Sequence, residues 1–154
     1  IIVSKTDLKG RITYVNRVFM RITNFPERSL LLQQHNIIRH PDMPRGAFKL
    51  LWSTLEAGQE FFAYVKNLTA EGHFYWVYAN VTPDMDEQGR VAGYFSVRRK
   101  PKSSAIAAIQ PIYREMLEAE RQAGPARAVA ASVALLTNKL QSLGTTYERF
   151  ILDL

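Results

Sequence analysis

The middle of the sequence contains three strand-like segments that follow one another with only short turns between them. They span residues 61–68, 73–82 and 90–98, and each is rich in aromatic and β-branched side chains. Gly72 and Gly89 lie in the two intervening turns. Because connections this short join neighbouring antiparallel strands, the segments predict a three-stranded antiparallel meander.

Two further strands are predicted at the start of the chain, and a helical block separates them from the meander. Residues 1–6 and 12–15 flank a turn and predict a hairpin. Asn16 is a predicted helix N-cap, and Pro44 suits the first turn of a later helix. The expected buried face of that later helix contains Ala47, Phe48, Leu51, Trp52 and Leu55. This order predicts an α+β fold, with a five-stranded antiparallel sheet and helices on one face.

The last third of the chain is predicted to be helical. The expected division is a sheet domain, a linker and two output helices, at residues 1–100, 101–104 and 105–154. Gly124 and Pro125 are expected to break the helical region in two. Beyond this break, apolar side chains recur at alternating steps of four and three from Val129 to Leu154. This seam predicts a homodimer through the C-terminal helices. Docking of the same face on its own chain stays open as the alternative.

Composition excludes several kinds of site and partner. The sequence has no cysteine, so disulfides, thiolate metal sites and cysteine nucleophiles are excluded, and a cytoplasmic location is favoured. The net charge is +6, and the densest basic run is Arg98, Arg99, Lys100 and Lys102. We interpret this run as a solvent-exposed strand end, without a nucleic-acid partner. No apolar run is long enough to cross a membrane, so any membrane contact is expected through other parts of a longer parent chain.

The segment from His35 to Pro44 is where we expect the functional site. It places cationic, anionic and amide side chains in a loop that prolines stiffen. Arg39 offers a planar fork for phosphate or carboxylate, and a helix beginning near Pro44 would add free amides and a positive dipole end. These features suit an anionic ligand with an aromatic body. Two structural alternatives stay open, in which Asp42 pairs with Arg39 or caps the helix.

Part of this segment resembles a known family. Residues 36–44, Asn-Ile-Ile-Arg-His-Pro-Asp-Met-Pro, closely resemble the signature of PAS domains of the aerotaxis-receptor type. Further similar elements occur at residues 14–16, 65–67, 75–80 and 106–116. The resemblance covers roughly residues 1–119 and implies a PAS fold. It also implies non-covalently bound FAD, whose redox state reports respiratory electron flow.

The resemblance implies a set of FAD-binding residues. They are Arg39, His40 and Asp42 in the loop motif, and Asn16 and Asn67 at positions associated with the flavin pocket. The sequence departs from the family at Phe61, where a tryptophan is common. Phenylalanine can pack against a flavin ring, but it lacks the indole donor.

Flavin chemistry adds further candidates. A flavin needs an apolar aromatic slot, amides for its pyrimidine edge and cations for its pyrophosphate. The candidate walls are Trp52, Phe61 and Trp76, for which core packing is the alternative. Asn67 and Asn80 could each supply a donor and an acceptor. No glycine-rich dinucleotide fingerprint is present, so FAD would be held in a PAS pocket.

The sequence therefore predicts a sensory input domain, and not an enzyme, that reports redox or oxygen status to an output domain of the same parent chain. A redox change would alter the hydrogen bonds of Asn67 or Asn80, and the last strand would pass the change through Pro101 to the helices. Asp84 and Asp86 are interpreted as turn residues.

Two other functions stay open at this point. One is a cofactor-free PAS module for dimerisation or docking, because a fold does not fix a function. The other is a haem sensor with His40 as an axial ligand. His35 and His73 are expected to lie at the surface.

Overall fold

The computed structural model describes residues 1–154 and contains one five-stranded antiparallel sheet. Its strands are β1 (Ile2–Asp7), β2 (Ile12–Val15), β3 (Phe61–Leu68), β4 (Phe74–Met85) and β5 (Val91–Arg99). They lie in the order β2-β1-β5-β4-β3, so β2 and β3 are the edge strands. The predicted hairpin and meander are both present, and pairing of β5 with β1 joins them into one sheet.

The helical block between β2 and β3 packs on one face of the sheet, which we call the inner face. It contains α1 (Arg17–Thr23), α2 (Glu27–Leu30), a 3₁₀ turn (His35–Ile38) and α3 (Arg45–Glu56). Asn16 caps α1, because its side-chain oxygen accepts a hydrogen bond from the amide of Phe19. A fully buried cluster that includes Ile12, Leu30 and Ile38 lies between this block and the inner face. The predicted α+β architecture is therefore confirmed.

Side chains of β4 alternate between two covered faces of the sheet. Val77 and Ala79 lie on the inner face, and Trp76 and Tyr78 lie on the outer face. The outer pair packs against the C-terminal helices. Both faces of the strand are therefore apolar around residues 76–79.

Three helices follow the sheet, at α4 (Ser103–Ala123), α5 (Ala128–Ser142) and α6 (Tyr147–Leu152). The predicted break at residues 124–125 is present, but the chain breaks again after α5. Gly144 adopts a left-handed φ of 67°, which ends helices, and Thr146 then caps α6 by accepting a hydrogen bond from the Arg149 amide. The expected two helices are thus three, and the expected linker is shorter because α4 already begins at Ser103. None of the helices is both long and apolar enough to cross a membrane.

The C-terminal helices pack along the edge of β3. The Tyr113 hydroxyl of α4 donates to the Tyr64 carbonyl at 2.6 Å. The Tyr147 hydroxyl of α6 donates to the Phe62 carbonyl at 2.9 Å. Because β3 has a neighbouring strand on one side only, these hydroxyls supply partners that the sheet itself does not.

The apolar seam of the last third is used within the chain. Leu136 and Leu140 are buried together with Ile109 and Met116, in a core that also includes side chains of α3 and β3. Leu143, by contrast, is 59% exposed. The seam thus docks on its own chain, and a homodimer through these helices stays a prediction.

Candidate functional site

An internal cavity of about 220 Å³ lies between α3 and the inner face of the sheet. The α3 side chains that line it are Phe48, Leu51, Trp52 and Leu55. The strands contribute Phe61, Ala63, Val65, Ala79, Val81 and Tyr94. The rings of Trp52 and Tyr94 meet edge to face, with centroids 5.4 Å apart. Most of the wall is therefore apolar or aromatic, and the predicted wall residues Trp52 and Phe61 both belong to it.

Gly10 allows the turn between β1 and β2 to approach this wall closely. A Cβ at this position would lie 3.3 Å from the Trp52 ring and 3.2 Å from the Gln34 side chain. The residue also has a φ of +80°, which disfavours other L-residues. Any larger residue would therefore strain the turn and push on the cavity wall.

Polar side chains line the rest of the cavity. They are Thr6, Gln34, His35, Asn36, Arg39, Asn67, Ser96 and Arg98. Asn67 is only 3% exposed, and its backbone forms an isolated bridge to Arg39 of the loop. The structure thus brings together two residues that the sequence analysis proposed, Arg39 and Asn67. It adds several that the analysis did not propose.

Arg98 is the least expected of these residues. Instead of lying at an exposed strand end, it is 3% exposed and its guanidinium group lies over the Phe19 ring. Its Nη2 donates to Ser4 Oγ and its Nη1 donates to His35 Nε2 at 3.2 Å, but its Nε has no partner. Burial lowers the pKa of Arg98 to about 10, so the group stays charged at neutral pH. The cavity therefore contains a buried positive charge with an unused donor.

His35 is partly buried and lines the cavity, so the expectation that it lies at the outer surface is wrong. Burial and the charge of Arg98 lower the pKa of His35 to about 3, so its imidazole is neutral. Its Nε2 accepts from Arg98 and lies 3.0 Å from Ser4 Oγ. Strand alternation could have identified Arg98, because Tyr94, Ser96 and Arg98 share one face of β5.

Arg39 lines the cavity from the loop and is held in place by contacts within it. Its guanidinium carbon lies 4.1 Å from the centroid of the Phe48 ring, and its Nη2 donates to the Met43 carbonyl at 3.1 Å. It does not pair with Asp42, so that structural alternative is wrong. Arg39 therefore presents a half-buried cation at the cavity.

His40 and Asp42 lie outside the cavity and fasten the loop to β3. The Asp42 carboxylate accepts from Lys66 Nζ at 2.8 Å, and this hydrogen bond lowers the pKa of Asp42. His40 Nδ1 accepts from the Asp42 amide at 2.9 Å, and the His40 amide donates to the Lys66 carbonyl. The two side chains position the loop that contains Arg39. His40 is not placed to ligate a haem in the cavity.

Three other predicted site residues also lie elsewhere. Trp76 stacks on Tyr113 of α4 on the outer face, with ring centroids 6.3 Å apart. Asn80 donates to Glu60 Oε1 at 2.7 Å and does not line the cavity. Both point outward because they alternate with the inward-facing Ala79, so their predicted place in the pocket is wrong. Asn16 is the N-cap of α1 and also donates to the Ile1 carbonyl, away from the cavity.

The amides at the start of α3 are not free to hold a phosphate, as the sequence had suggested. Those of Arg45 and Gly46 donate to the two carboxylate oxygens of Glu120, at 3.0 and 3.1 Å. Glu120 belongs to α4, and no residue near Pro44 supplies a side-chain cap. The helix is therefore capped by a distant carboxylate, and not by Asp42.

The family model described as "PAS fold" matches residues 12–98. The aerotaxis receptor of Escherichia coli (strain K12) is 39% identical over 115 residues, which are 75% of this chain and 22% of the receptor. A nitrogen fixation regulatory protein of Klebsiella pneumoniae is 30% identical over 97 residues, 63% of this chain and 20% of that protein. The chain thus spans about a fifth of the length of these relatives.

Solved structures share the same architecture. The light-state structure of the blue-light photoreceptor Aureochrome1 LOV superposes with a TM-score of 0.64 at 18% identity, over 74% of this chain and 91% of that chain. A light-oxygen-voltage domain studied with a flavin analogue superposes with a TM-score of 0.62 at 18% identity, over 74% and 85%. At this level of identity the likeness concerns the fold. With the family match over residues 12–98 and the shared architecture, the chain belongs to the PAS fold family.

Proposed function

We propose that this chain is a sensory input domain that binds FAD non-covalently in the cavity and reports a redox change to the C-terminal helices. The observation that carries the proposal is the combination of an aromatic and apolar slot with a buried, partly unpartnered Arg98. A ligand that satisfies both must have a flat apolar body and an electron-rich polar edge. The isoalloxazine ring system has both properties.

The residues of the cavity fit such a ring. Trp52, Phe48 and Phe61 offer aromatic surface, while Asn36 and Asn67 offer amides that can donate and accept. The free Nε of Arg98 would find an acceptor on the polar edge of the ring, which would remove the cost of a buried unsatisfied donor.

The size of the cavity limits which part of FAD enters it. Its volume of about 220 Å³ lies below the roughly 300–1,000 Å³ of common ligand pockets. We therefore assign the cavity to the ring system alone. The pyrophosphate would lie towards the half-buried guanidinium of Arg39.

A bound flavin would supply reversible electron transfer, and the residues of this chain would convert it into movement. Asn67 lies on β3, whose carbonyls at Phe62 and Tyr64 accept from tyrosines of the C-terminal helices. Phe61 lines the cavity and also stacks on Tyr147 of α6, with ring centroids 5.5 Å apart. A shift of β3 would therefore reach α4 and α6 directly.

The positions of Asn67 and Asn80 change the route of the signal that the sequence suggested. Asn80 cannot respond from within the cavity because it lies outside it. Asn67 remains as the responding amide, and β5 remains as the covalent route to α4. The proposal includes an output domain of the same parent chain and a cytoplasmic location. It includes no catalytic step.

The test begins with the colour of the purified protein. We expect a yellow preparation that releases FAD on denaturation and recovers its absorption when FAD is added back. A Soret band would instead indicate haem. A colourless protein that cannot be reconstituted with FAD would contradict the proposal and favour a cofactor-free docking module.

A further inference from the structure

We propose that Glu120 is a latch that opposes ligand entry: it fastens the first turn of α3 to the C-terminal helices and must yield when the cavity is filled. This inference rests on the proposed function, because the ligand concerned is the flavin of the same cavity. It adds the device that would couple occupancy of the cavity to release of the helices.

The latch consists of two hydrogen bonds to one buried carboxylate. Glu120 is 8% exposed, and its two oxygens accept separately from the amides of Arg45 and Gly46. No cation lies within ion-pair distance of Glu120, so these amides are its direct partners. A negative charge at a helix N-terminus is stabilised by the free amides and the helix dipole. The contact therefore ties α4 to α3 across 75 residues of sequence.

A second contact joins α5 to the same turn of α3. A Cβ on Gly46 would lie only 2.2 Å from Ser132 Oγ of α5 and 3.1 Å from the Met116 methyl group of α4. The backbone of α3 can approach both helices this closely because residue 46 has no side chain. The start of α3 is thus held by α4 and α5 together.

The opposite side of α3 forms the cavity wall. Phe48 lies within a turn of the latch, and Trp52 follows one turn later along the same helix. Because the cavity of about 220 Å³ is smaller than common ligand pockets of about 300–1,000 Å³, a ligand must push α3 outward to enter fully. An outward shift presses Gly46 on Ser132 and Met116 and displaces the Arg45 and Gly46 amides from the Glu120 carboxylate.

The negative charge of Glu120 opposes ligand binding, as the steric effect does. Burial lowers the pKa of Arg39, and the negative charge of Glu120 opposes this shift, so the two side chains interact. A ligand phosphate that approaches Arg39 would meet the repulsion of Glu120. Ligand binding and a closed latch therefore disfavour each other. By linkage, each must weaken the other by the same factor.

The experiment compares the full chain with its Glu120→Gln and Glu118→Gln variants. Glu118 is the matched control, because it lies on α4 but pairs only with exposed Arg121 and Gln122. Hydrogen exchange is followed at the Arg45 and Gly46 amides, and dissociation constants are measured for riboflavin and for FAD. Riboflavin has no phosphate, so it isolates the steric effect.

In Glu120→Gln we expect exchange at the two amides to quicken by about 3- to 30-fold, the range of a lost helix cap. We expect riboflavin to bind more tightly, and FAD to gain more than riboflavin does. Either flavin should quicken the same exchange in the parent chain. Unchanged or weaker flavin binding in Glu120→Gln, or slower exchange on adding flavin, would overturn the latch.

Two further results keep the inference separate from the proposed function. If no variant binds either flavin, the proposed function fails. The exchange data then decide the latch: faster exchange in Glu120→Gln alone supports it, and equal exchange in both variants overturns it. If Glu120→Gln does not fold, the parent chain alone tests the latch through the Arg45 and Gly46 amides. Faster exchange at these amides on adding either flavin supports the latch, and unchanged or slower exchange overturns it.

Discussion

Arg98 is a cation that the protein encloses without a carboxylate partner. Its Nε donor is buried and unsatisfied, a condition that costs about 1–3 kcal/mol in folded proteins. Its other donors reach only a hydroxyl and a neutral imidazole, those of Ser4 and His35. We therefore expect Arg98 to add little stability to the ligand-free fold, and a ligand acceptor at its Nε to stabilise it.

We expect Arg98→Met to separate stability from binding. Methionine fills similar volume without charge, so the free energy of unfolding of the ligand-free protein should stay within about 1 kcal/mol or rise. Flavin affinity should fall about tenfold or more, because the polar edge of the ring loses a charged donor. Urea unfolding and flavin titration measure the two quantities. Arg99→Met is the control, since Arg99 is exposed, and should change neither. If Arg98→Met keeps its flavin affinity, the polar edge of the ring does not lie at Arg98.

His35 makes the stability of the fold depend on pH. Its pKa is about 3 in the folded chain, against an ordinary value of 6.5 when unfolded. The unfolded state therefore binds a proton first as the pH falls. The contribution of His35 is full above pH 6.5 and is lost progressively towards pH 3.

In the parent chain we expect the free energy of unfolding to fall by up to about 1.4 kcal/mol per pH unit below pH 6.5 from this residue. His35→Gln should flatten that dependence, because glutamine does not titrate. His40, whose pKa burial also lowers, remains in the variant and accounts for residual slope. Urea unfolding between pH 6.5 and about pH 5.5 tests this above most of the range where carboxylates titrate. Equal slopes in both proteins would contradict a lowered pKa of His35.

At the scale of elements, β4 explains which part of the site the sequence could not reveal. Its residues 74–78 are aromatic or apolar without interruption, because helices cover both faces of this part of the sheet. A period of two identifies the buried face only when the other face is polar. The strand itself was predictable. The direction of Trp76 was not, and placing it in the cavity failed for this reason.

Other local features could be predicted because their cause is local. The Asn16 cap and the helix that starts after Pro44 depend on residues within one turn. The inward direction of Arg98 also follows from its strand, although its charge suggested an exposed position. The Glu120 cap could not be found in this way, because it joins residues 75 positions apart.

The contact between α4 and β3 can be tested at a single hydroxyl. Tyr113→Phe leaves the buried Tyr64 carbonyl without its partner and keeps the stacking on Trp76. We expect the free energy of unfolding to fall by about 1–3 kcal/mol. Tyr14→Phe removes an exposed hydroxyl and should change it by less than about 0.5 kcal/mol. Equal effects in the two variants would argue against a specific contact between Tyr113 and β3.

At the scale of the whole molecule, one apolar seam has two competing uses. Leu136 and Leu140 pack within the chain, and the homodimer predicted from the sequence would need the same side chains. A monomer with docked helices and a dimer with released helices therefore exclude each other at this surface. Whatever loosens the docking must favour the dimer.

We expect Glu120→Gln to shift the association equilibrium towards a dimer. Sedimentation equilibrium should find dimer at concentrations at which the parent chain is monomeric, because the variant loses a contact of the docked form only. Glu118→Gln should behave like the parent chain. If both variants remain monomeric at the highest accessible concentration, the seam serves only docking within the chain.

The tyrosine hydroxyls of α4 and α6 that bond to β3 have a consequence for how long the proposed released state can last. Once α4 and α6 leave, the backbone acceptors at Phe62 and Tyr64 face water beside a sheet surface rich in aromatic rings. An uncovered edge strand of this kind can pair with any extended chain, including the edge strand of another copy. The proposed signalling through helix release would therefore carry a risk of irreversible aggregation. We expect the released state to be short-lived, or its exposed edge strand to be covered by the partner that receives the signal.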